Sequence, residues 1–147
     1  MIKSTQYKIL PELKIMVEYF SLETSLKDKI EHRKIVIQDK YFNPNYNFIT
    51  DFRDTHIDFS LDDVSAYIEF AKNATKMHGD RRSAILTNTP NQTVFSSLYI
   101  LELKNEPTHV EIFLTMDSAI KWVGLSSIDI RKIESVINEM KTKAKER

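Results

Sequence analysis

The order of hydrophobic runs in this sequence predicts an α/β fold, with a mixed sheet of about five strands and helices packed on it. Runs rich in β-branched and aromatic residues alternate along the chain with segments whose apolar residues recur at helical spacing. The chain has 147 residues, which suits one domain. It has no cysteine, so the core must form by hydrophobic burial, without disulfides or thiolate metal sites.

The predicted strands follow from the β-forming runs. Tyr7 to Leu10 and Lys14 to Phe20 predict an opening antiparallel pair. In the second run Ile15, Val17 and Tyr19 alternate with other residues, which predicts one face more buried than the other. Later strands alternate with helices, which implies crossover connections and parallel neighbours. These strands are predicted over residues 48–52, 83–87 and 109–114.

The helix starts carry capping signals. Ser25 and Asp28 have capping-box spacing, so the first helix is predicted to begin there and to bury Leu26, Ile30 and Ile37. The remaining helices are predicted from Ser60 to about His78, from Pro90 to about Lys104 after the cap Thr89, over 117–123 and over 127–143.

Composition excludes several classes of protein. Formal net charge is zero, with 21 basic and 21 acidic residues, so we expect no nucleic-acid partner. Only two glycines occur, and no glycine-rich phosphate loop is present, so we expect no nucleotide cofactor or any other. No apolar run reaches about 20 residues and Met1 to Tyr7 lack a signal-peptide core, so we expect a cytoplasmic protein without membrane insertion.

The chain shows no linker or repeat, which predicts one domain over residues 1–147, with a core over about 6–125 and a C-terminal helix over about 127–143. That helix carries an apolar stripe close to a heptad repeat. The stripe is expected to pack on its own domain or to form a homodimer. Its residues are Ile130, Ile133, Ile137 and Met140.

Four segments resemble the STAS superfamily, whose best known members are anti-sigma-factor antagonists of the SpoIIAA type, and resemble the SpoIIAA-like uncharacterised bacterial proteins more closely. The resemblance covers about residues 6–125 and leaves the C-terminal helix outside. The segments are Asn47 to Asp54, Ala84 to Thr87, Ile112 to Thr115, and Ala119 to Val123.

The resemblance implies a STAS or SpoIIAA-like fold and a non-enzymatic regulatory module that docks on an unknown protein partner. Phosphorylatable members carry a serine at the start of the helix after the central strand. Asp58-Phe59-Ser60-Leu61 matches that place but lacks the family's glycine, which makes Ser60 a candidate phosphoacceptor. Ser60 is otherwise an N-cap. The fold is also similar to that of CRAL-TRIO lipid carriers, so a carrier of a small ligand or lipid is the alternative.

Polar residues are expected to cluster where parallel strands end, which is where α/β sheets bind ligands. They are candidates for a ligand-binding rim, or they pair and cap turns among themselves. The candidates are Asp51, Arg53, Asp54, Thr87, Asn88 and Asn91.

Aromatic residues before the central strand, together with the single tryptophan, are candidates for an apolar pocket at the sheet edge, or else ordinary core. They are Tyr41, Phe42, Tyr46 and Trp122. No histidine has metal-ligand spacing and no nucleophile motif occurs, so we expect no metal and no catalytic residue. An enzyme, using Asp51, Arg53, Asp54 or His56, is a third and less favoured function, ahead only of nucleic-acid binding.

Overall fold

The structure, a computed structural model of the chain, describes residues 5–103 and 107–145. The predicted helix end at Lys104 lies outside these residues. The strands are β1 (Thr5–Leu10), β2 (Ile15–Ser25), β3 (Asn47–Asp58), β4 (Arg82–Leu86) and β5 (His109–Phe113). The α-helices are α1 (Leu26–Gln38), α2 (Leu61–Asn73), α3 (Pro90–Glu102), α4 (Met116–Trp122) and α5 (Ser127–Lys145).

The strands form one five-stranded sheet in the order β1-β2-β3-β4-β5. β1 pairs antiparallel with β2, and every other neighbouring pair is parallel. Each parallel pair is connected through a helix, because parallel neighbours need a crossover. The predicted α/β fold, with a mixed sheet and an antiparallel edge, is confirmed.

The two central strands differ from their predictions. β2 is buried without interruption from Ile15 to Ser21, so the expected one-sided burial was wrong. Helices cover this segment of β2 on both faces of the sheet, so neither side of the segment is solvated. β3 continues past the predicted end at Phe52 to Asp58, because it goes on pairing with β2 after its pairing with β4 stops at Asp51.

The sheet has two covered faces. Alternate residues of a strand point to opposite faces. Phe52 of β3 packs in a cluster with Val64 of α2 and Phe95 of α3, and we call this side, which α1 also covers, the three-helix face. Ile49 of β3 packs with Ile120 of α4 and with α5, and we call this side the two-helix face.

The predicted helix starts are confirmed. The side chains of Ser25, Ser60 and Thr89 each accept a hydrogen bond from the backbone N–H three residues later. The α2 helix ends at Asn73, ahead of the predicted end, and a 3-10 turn at Thr75–Met77 follows it.

The face that α1 turns inward was predicted wrongly. Leu26, Ile30 and Ile37 are only half-buried. Glu18 of β2 is buried beneath the helix, and a buried carboxylate needs charged or hydrogen-bonding partners, so a polar stripe faces inward instead. The buried residues of α1 are Lys29, His32, Arg33 and Val36.

The apolar stripe of α5 packs on its own domain. Ile133, Ile137 and Met140 are buried against the two-helix face together with Val136, whereas Ile130 is half-buried. A homodimer through this helix stays a prediction. Within residues 5–103 and 107–145, the helices are too short or too polar to cross a lipid bilayer.

Candidate functional site

Glu18 lies in the middle of β2, and its side chain is fully buried on the three-helix face, with 0% exposure. His32 Nε2 lies 2.9 Å from Glu18 Oε1, and Thr50 Oγ1 donates to Oε2 at 2.7 Å. Arg33 donates from Nη2 to Oε2 at 3.2 Å, and its Nη1 lies 2.6 Å from Oε1. Several partners of this kind are what allow a buried carboxylate to stay ionised.

The charge states of this group follow from burial and pairing. Burial alone would raise the pKa of Glu18, but the Arg33 charge and the hydrogen bonds from His32 and Thr50 hold that pKa well below its usual range. Burial lowers the pKa of His32 by more than Glu18 raises it, so His32 is neutral at pH 7. Because ionised Glu18 can only accept, His32 Nε2 carries the proton and donates it.

Lys29 of α1 lies one helical turn before Arg33 and is enclosed by aromatic rings. Within the described ranges, no carboxylate oxygen comes within 4.0 Å of its Nζ. Burial lowers the pKa of Lys29, and attraction to the ring faces offsets part of the cost of desolvation. The distances from Nζ to the ring centroids are 4.8 Å for Tyr67, 4.9 Å for Phe52, 5.0 Å for Phe20 and 5.3 Å for Phe95.

Arg81, just before β4, is a further buried cation on this face, with 6% exposure. Its Nη1 donates to the carbonyls of Met77 at 2.6 Å and Pro44 at 3.0 Å. Its guanidinium carbon lies 4.2 Å from the ring centroid of Phe48. Burial, together with repulsion from Arg33, lowers the pKa of Arg81 to about 10. Arg81 is still charged at neutral pH, and two backbone carbonyls and the Phe48 ring stabilise that charge.

Lys29, Arg33 and Arg81 form what we call the buried cation cluster. Among the described residues, Glu18 is the one buried carboxylate on the same face. The Nε atoms of Arg33 and Arg81 are buried, and no described residue accepts a hydrogen bond from either. An unsatisfied buried donor costs about 1–3 kcal/mol, and more when it is charged. The cluster therefore carries more positive charge and more donors than these surroundings satisfy.

Two adjoining cavities lie beside the cluster. The inner cavity, of about 30 Å³, is lined by all three cluster cations. The outer cavity, of about 80 Å³, opens between α2 and α3. Arg81 lines both cavities, together with Met77 and Tyr99. About 10–15 Å³ is needed for one water, so the inner cavity has room for two or three small atoms or groups.

The outer cavity is mixed in character. Ala71, Met77 and Leu103 give it an apolar wall, while Lys72 and Arg81 bring positive charge. No acidic residue among those described lines it. The arrangement suits a small molecule with an apolar part, whose polar end meets the cation cluster.

The polar rim predicted from the sequence is divided between two kinds of contact. Asp51 is buried on the two-helix face, where Arg53 donates to it from Nε at 2.9 Å and from Nη2 at 3.0 Å. Asp54 accepts from the Tyr19 hydroxyl at 2.6 Å and lies 3.6 Å from Lys141 Nζ. These carboxylates are already paired, and whether they bind a ligand stays a prediction.

Of the remaining rim residues, Asn91 satisfies the edge of the long strand β3, whereas Thr87 and Asn88 contact the start of α3. The Asn91 amide donates to the Ile57 carbonyl at 2.9 Å and accepts from the Ile57 N–H at 2.8 Å, as a neighbouring strand would. The Thr87 hydroxyl lies 3.0 Å from that of Thr93, and the Asn88 N–H donates to Gln92 at 2.7 Å.

The predicted aromatic pocket is not brought together. Phe42 packs beside Phe48 on the three-helix face, whereas Trp122 packs against Phe113 on the two-helix face. Tyr41 is 57% exposed and Tyr46 is half-buried in the same loop as Phe42. The separation arises because the loop follows α1 and Trp122 ends α4, and these helices cover opposite faces.

Ser60 lies where predicted, exposed at the N-cap of α2. Its hydroxyl accepts from the Asp63 N–H at 3.1 Å, and the Ser60 N–H donates to the Asp63 carboxylate at 2.9 Å. Asp62 shares the first turn, so a phosphate added here would meet two carboxylates as well as the favourable helix N-terminus.

The sequence analysis did not identify the cation cluster, although the sequence contains one signal for it. Glu18 interrupts an otherwise apolar run, and a carboxylate in a central strand must be paired. Lys29 and Arg33 are four residues apart in the next helix, and so lie on one side of it. The histidines gave no such signal, and in the described part of the chain no group of three acidic or imidazole side chains could hold a metal ion.

No protein-family model matches the chain, and no curated protein matches it. One solved structure is similar in fold, that of an uncharacterized protein from the DUF3478 family, with a SpoIIAA-like fold, from Shewanella loihica PV-4. The match covers 82% of this chain and 94% of that one, with a TM-score of 0.56 and 12% sequence identity. A sequence identity of 12% shows a similarity of fold only. The chain has a SpoIIAA-like fold, to which α5 is added at the C-terminal end.

Proposed function

We propose that this protein is a non-catalytic binding module that holds a small ligand in the two cavities of the three-helix face. One observation carries the proposal: a cluster of three buried cations, with unsatisfied donors, adjoins a cavity that opens between α2 and α3. Maintaining such a cluster is unfavourable for folding, which makes a binding role the better explanation for it.

The cluster is better suited to binding than to catalysis. A general base needs a pKa near the working pH, whereas pairing holds the pKa of Glu18 far below it. The Nε2–H group of His32 donates a hydrogen bond to Glu18, so this nitrogen cannot accept a proton from a substrate. Arg33 and Arg81 can stabilise an anion but do not exchange protons at neutral pH. These groups recognise charge, and the module is either a carrier or a regulator that responds to ligand.

The test uses two matched alanines of α2. Ala71 lines the outer cavity, whereas Ala66 is exposed on the same helix. Native mass spectrometry of the protein purified from its own cells should show a bound small molecule. Ala71→Leu fills the cavity and should abolish that added mass, whereas Ala66→Leu should retain it.

Thermal unfolding shows whether Ala71→Leu still folds. A bound molecule that survives Ala71→Leu in a folded protein would place it elsewhere and contradict the proposed site. Added mass present in neither wild type nor Ala66→Leu, with no ligand found by direct titration, would contradict a binding role for the cavities.

A regulatory module that docks a protein partner is the second candidate, and the exposed hydroxyl of Ser60 favours it. Phosphorylation would exchange a neutral cap for a dianion beside Asp62 and Asp63, changing the local charge of the α2 surface. Binding of partners captured from the source cells should then differ between Ser60→Ala and Ser60→Asp. Equal capture by both variants and by wild type would reject a switch at Ser60.

A further inference from the structure

The unsatisfied groups of the cation cluster all require the same thing of a ligand. Arg33 and Arg81 lie against the ring of Phe48, at 5.3 Å and 4.2 Å from its centroid. Each is 6% exposed, and each has a buried Nε without an acceptor among the described residues. One anionic acceptor that binds the Nε atoms of both Arg33 and Arg81 would satisfy these two donors in a region of net positive charge.

The size of the cavities limits that acceptor. The inner cavity of about 30 Å³ admits a carboxylate, whereas a nucleotide or a sugar phosphate would not fit. Together with the outer cavity of about 80 Å³, it is smaller than the ~150 Å³ cavity that accommodates benzene in another protein. A ligand in both cavities therefore has only a few of its carbon atoms inside them, and the end of a longer chain, such as that of hexanoate, extends out through the opening between α2 and α3.

We propose that the ligand is a small aliphatic carboxylate, whose carboxylate group lies in the inner cavity between Arg33 and Arg81 and whose chain lies in the outer cavity. This rests on the proposed binding function and specifies the chemical class of its ligand. The carboxylate accepts from the two free Nε atoms, and the chain contacts Ala71, Met77 and Leu103. Lys29 adds attraction at longer range.

Tyr67, which lines the inner cavity beside the cation cluster, provides a competing explanation. Burial would raise the pKa of Tyr67, but the charges of Arg33 and Lys29, together with a hydrogen bond from Arg33, lower it by more. If Tyr67 were ionised at neutral pH, its phenolate would supply the missing negative charge internally. The ultraviolet phenolate band separates the two cases, and we expect no such band at pH 7 that Tyr67→Phe removes. A band of that kind would overturn the proposal.

The binding experiment compares three probes with one chain length: hexanoate, 1-hexanol and hexylamine, titrated by calorimetry. We expect hexanoate to bind at least about tenfold more tightly than hexanol, because a charge-assisted hydrogen bond is worth more than a tenfold change in affinity. Hexylamine should not bind. Arg81→Met should remove the preference for hexanoate, whereas Arg82→Met, which deletes an exposed arginine beside it, should change affinity less than about twofold.

The outcomes separate this inference from the proposed function. If hexanol binds as tightly as hexanoate and Ala71→Leu abolishes both, the binding function stands and the anionic ligand is wrong. If inorganic phosphate binds and hexanoate does not, the carboxylate assignment is wrong. If no probe and no phosphate binds, both proposals fall. Lys29→Met is a second variant for use if Arg81→Met does not fold. If folded Lys29→Met keeps an unchanged preference for hexanoate over 1-hexanol, the cation cluster does not bind the carboxylate.

Discussion

Replacing Glu18 with glutamine tests how the cation cluster is held in the core. Glu18→Gln keeps the shape of the side chain and removes its charge. The new amide group brings donors to a place where His32, Arg33 and Thr50 already donate. The variant therefore loses the ion pair with Arg33 and creates conflicts between donors, while the volume of the core stays the same.

The expected loss follows from what the pair does. Removing one partner of a buried ion pair costs about 3–5 kcal/mol, because the other charge stays buried without compensation. Here Arg33 would be left beside two further buried cations, Lys29 and Arg81. Domains of this size have a free energy of unfolding of about 5–15 kcal/mol, so the loss is a large part of the total.

The assay is urea unfolding at pH 7, followed by circular dichroism, with Glu23→Gln as the control. Glu23 lies on the same strand and is exposed, so its substitution should change the free energy of unfolding by no more than about 0.5 kcal/mol. A loss below about 1 kcal/mol for Glu18→Gln, in a protein that still unfolds cooperatively, would refute the ion-pair reasoning.

The ion pair of Glu18 should also make the stability of the folded chain fall at acid pH. The pKa of Glu18 is lower in the folded chain than its unfolded value of about 4.3. Its stabilising contribution is therefore full above the unfolded pKa and is lost as the pH falls towards the folded pKa. Wild type should lose stability more steeply than Glu18→Gln below about pH 4.

Three further substitutions have defined outcomes, each measured by urea unfolding. Gly79→Ala should destabilise by about 1–3 kcal/mol, because its Cβ would overlap the carbonyl of Pro44; an unchanged midpoint would contradict that close approach. Asn91→Leu should cost a similar amount, about 1–3 kcal/mol, by leaving the N–H and C=O of Ile57 unpaired, and a neutral result would mean that water replaces the amide. Because the pKa of Lys29 is lower in the folded chain than in the unfolded chain, wild type should gain stability as the pH rises from 7 towards 10. Lys29→Met should gain less over the same range. Equal gains in the two proteins would contradict a lowered pKa for Lys29.

The fold was accessible from the sequence because its signals are local. The capping residues Ser25, Ser60 and Thr89 fix where helices begin, and β-branched runs between them fix the strands. The lengths of the strands were harder to predict from the sequence. β3 extends to Asp58 because β2 and the Asn91 side chain satisfy its backbone, and neither partner is adjacent to it in sequence.

The proposed binding site could not be predicted from the sequence, because residues far apart along the chain form it. Arg81 is brought to Phe48 by the pairing of β3 with β4, and its approach to Arg33 depends on how α1 packs. Hydrophobic periodicity favoured Ile30 and Ile37 of α1 as core residues, whereas the buried Glu18 places the polar side of that helix inward. A tertiary ion pair thus outweighed the apolar pattern, as electrostatic partners of a buried charge can.

A crystal structure of the protein grown with hexanoate would show whether the cation cluster binds a carboxylate. We expect a carboxylate in the inner cavity, with oxygens within about 3.2 Å of the Nε atoms of Arg33 and Arg81, and with the carbon chain against Ala71. An inner cavity that holds only water at saturating hexanoate, or a hexanoate bound elsewhere on the surface, would contradict it.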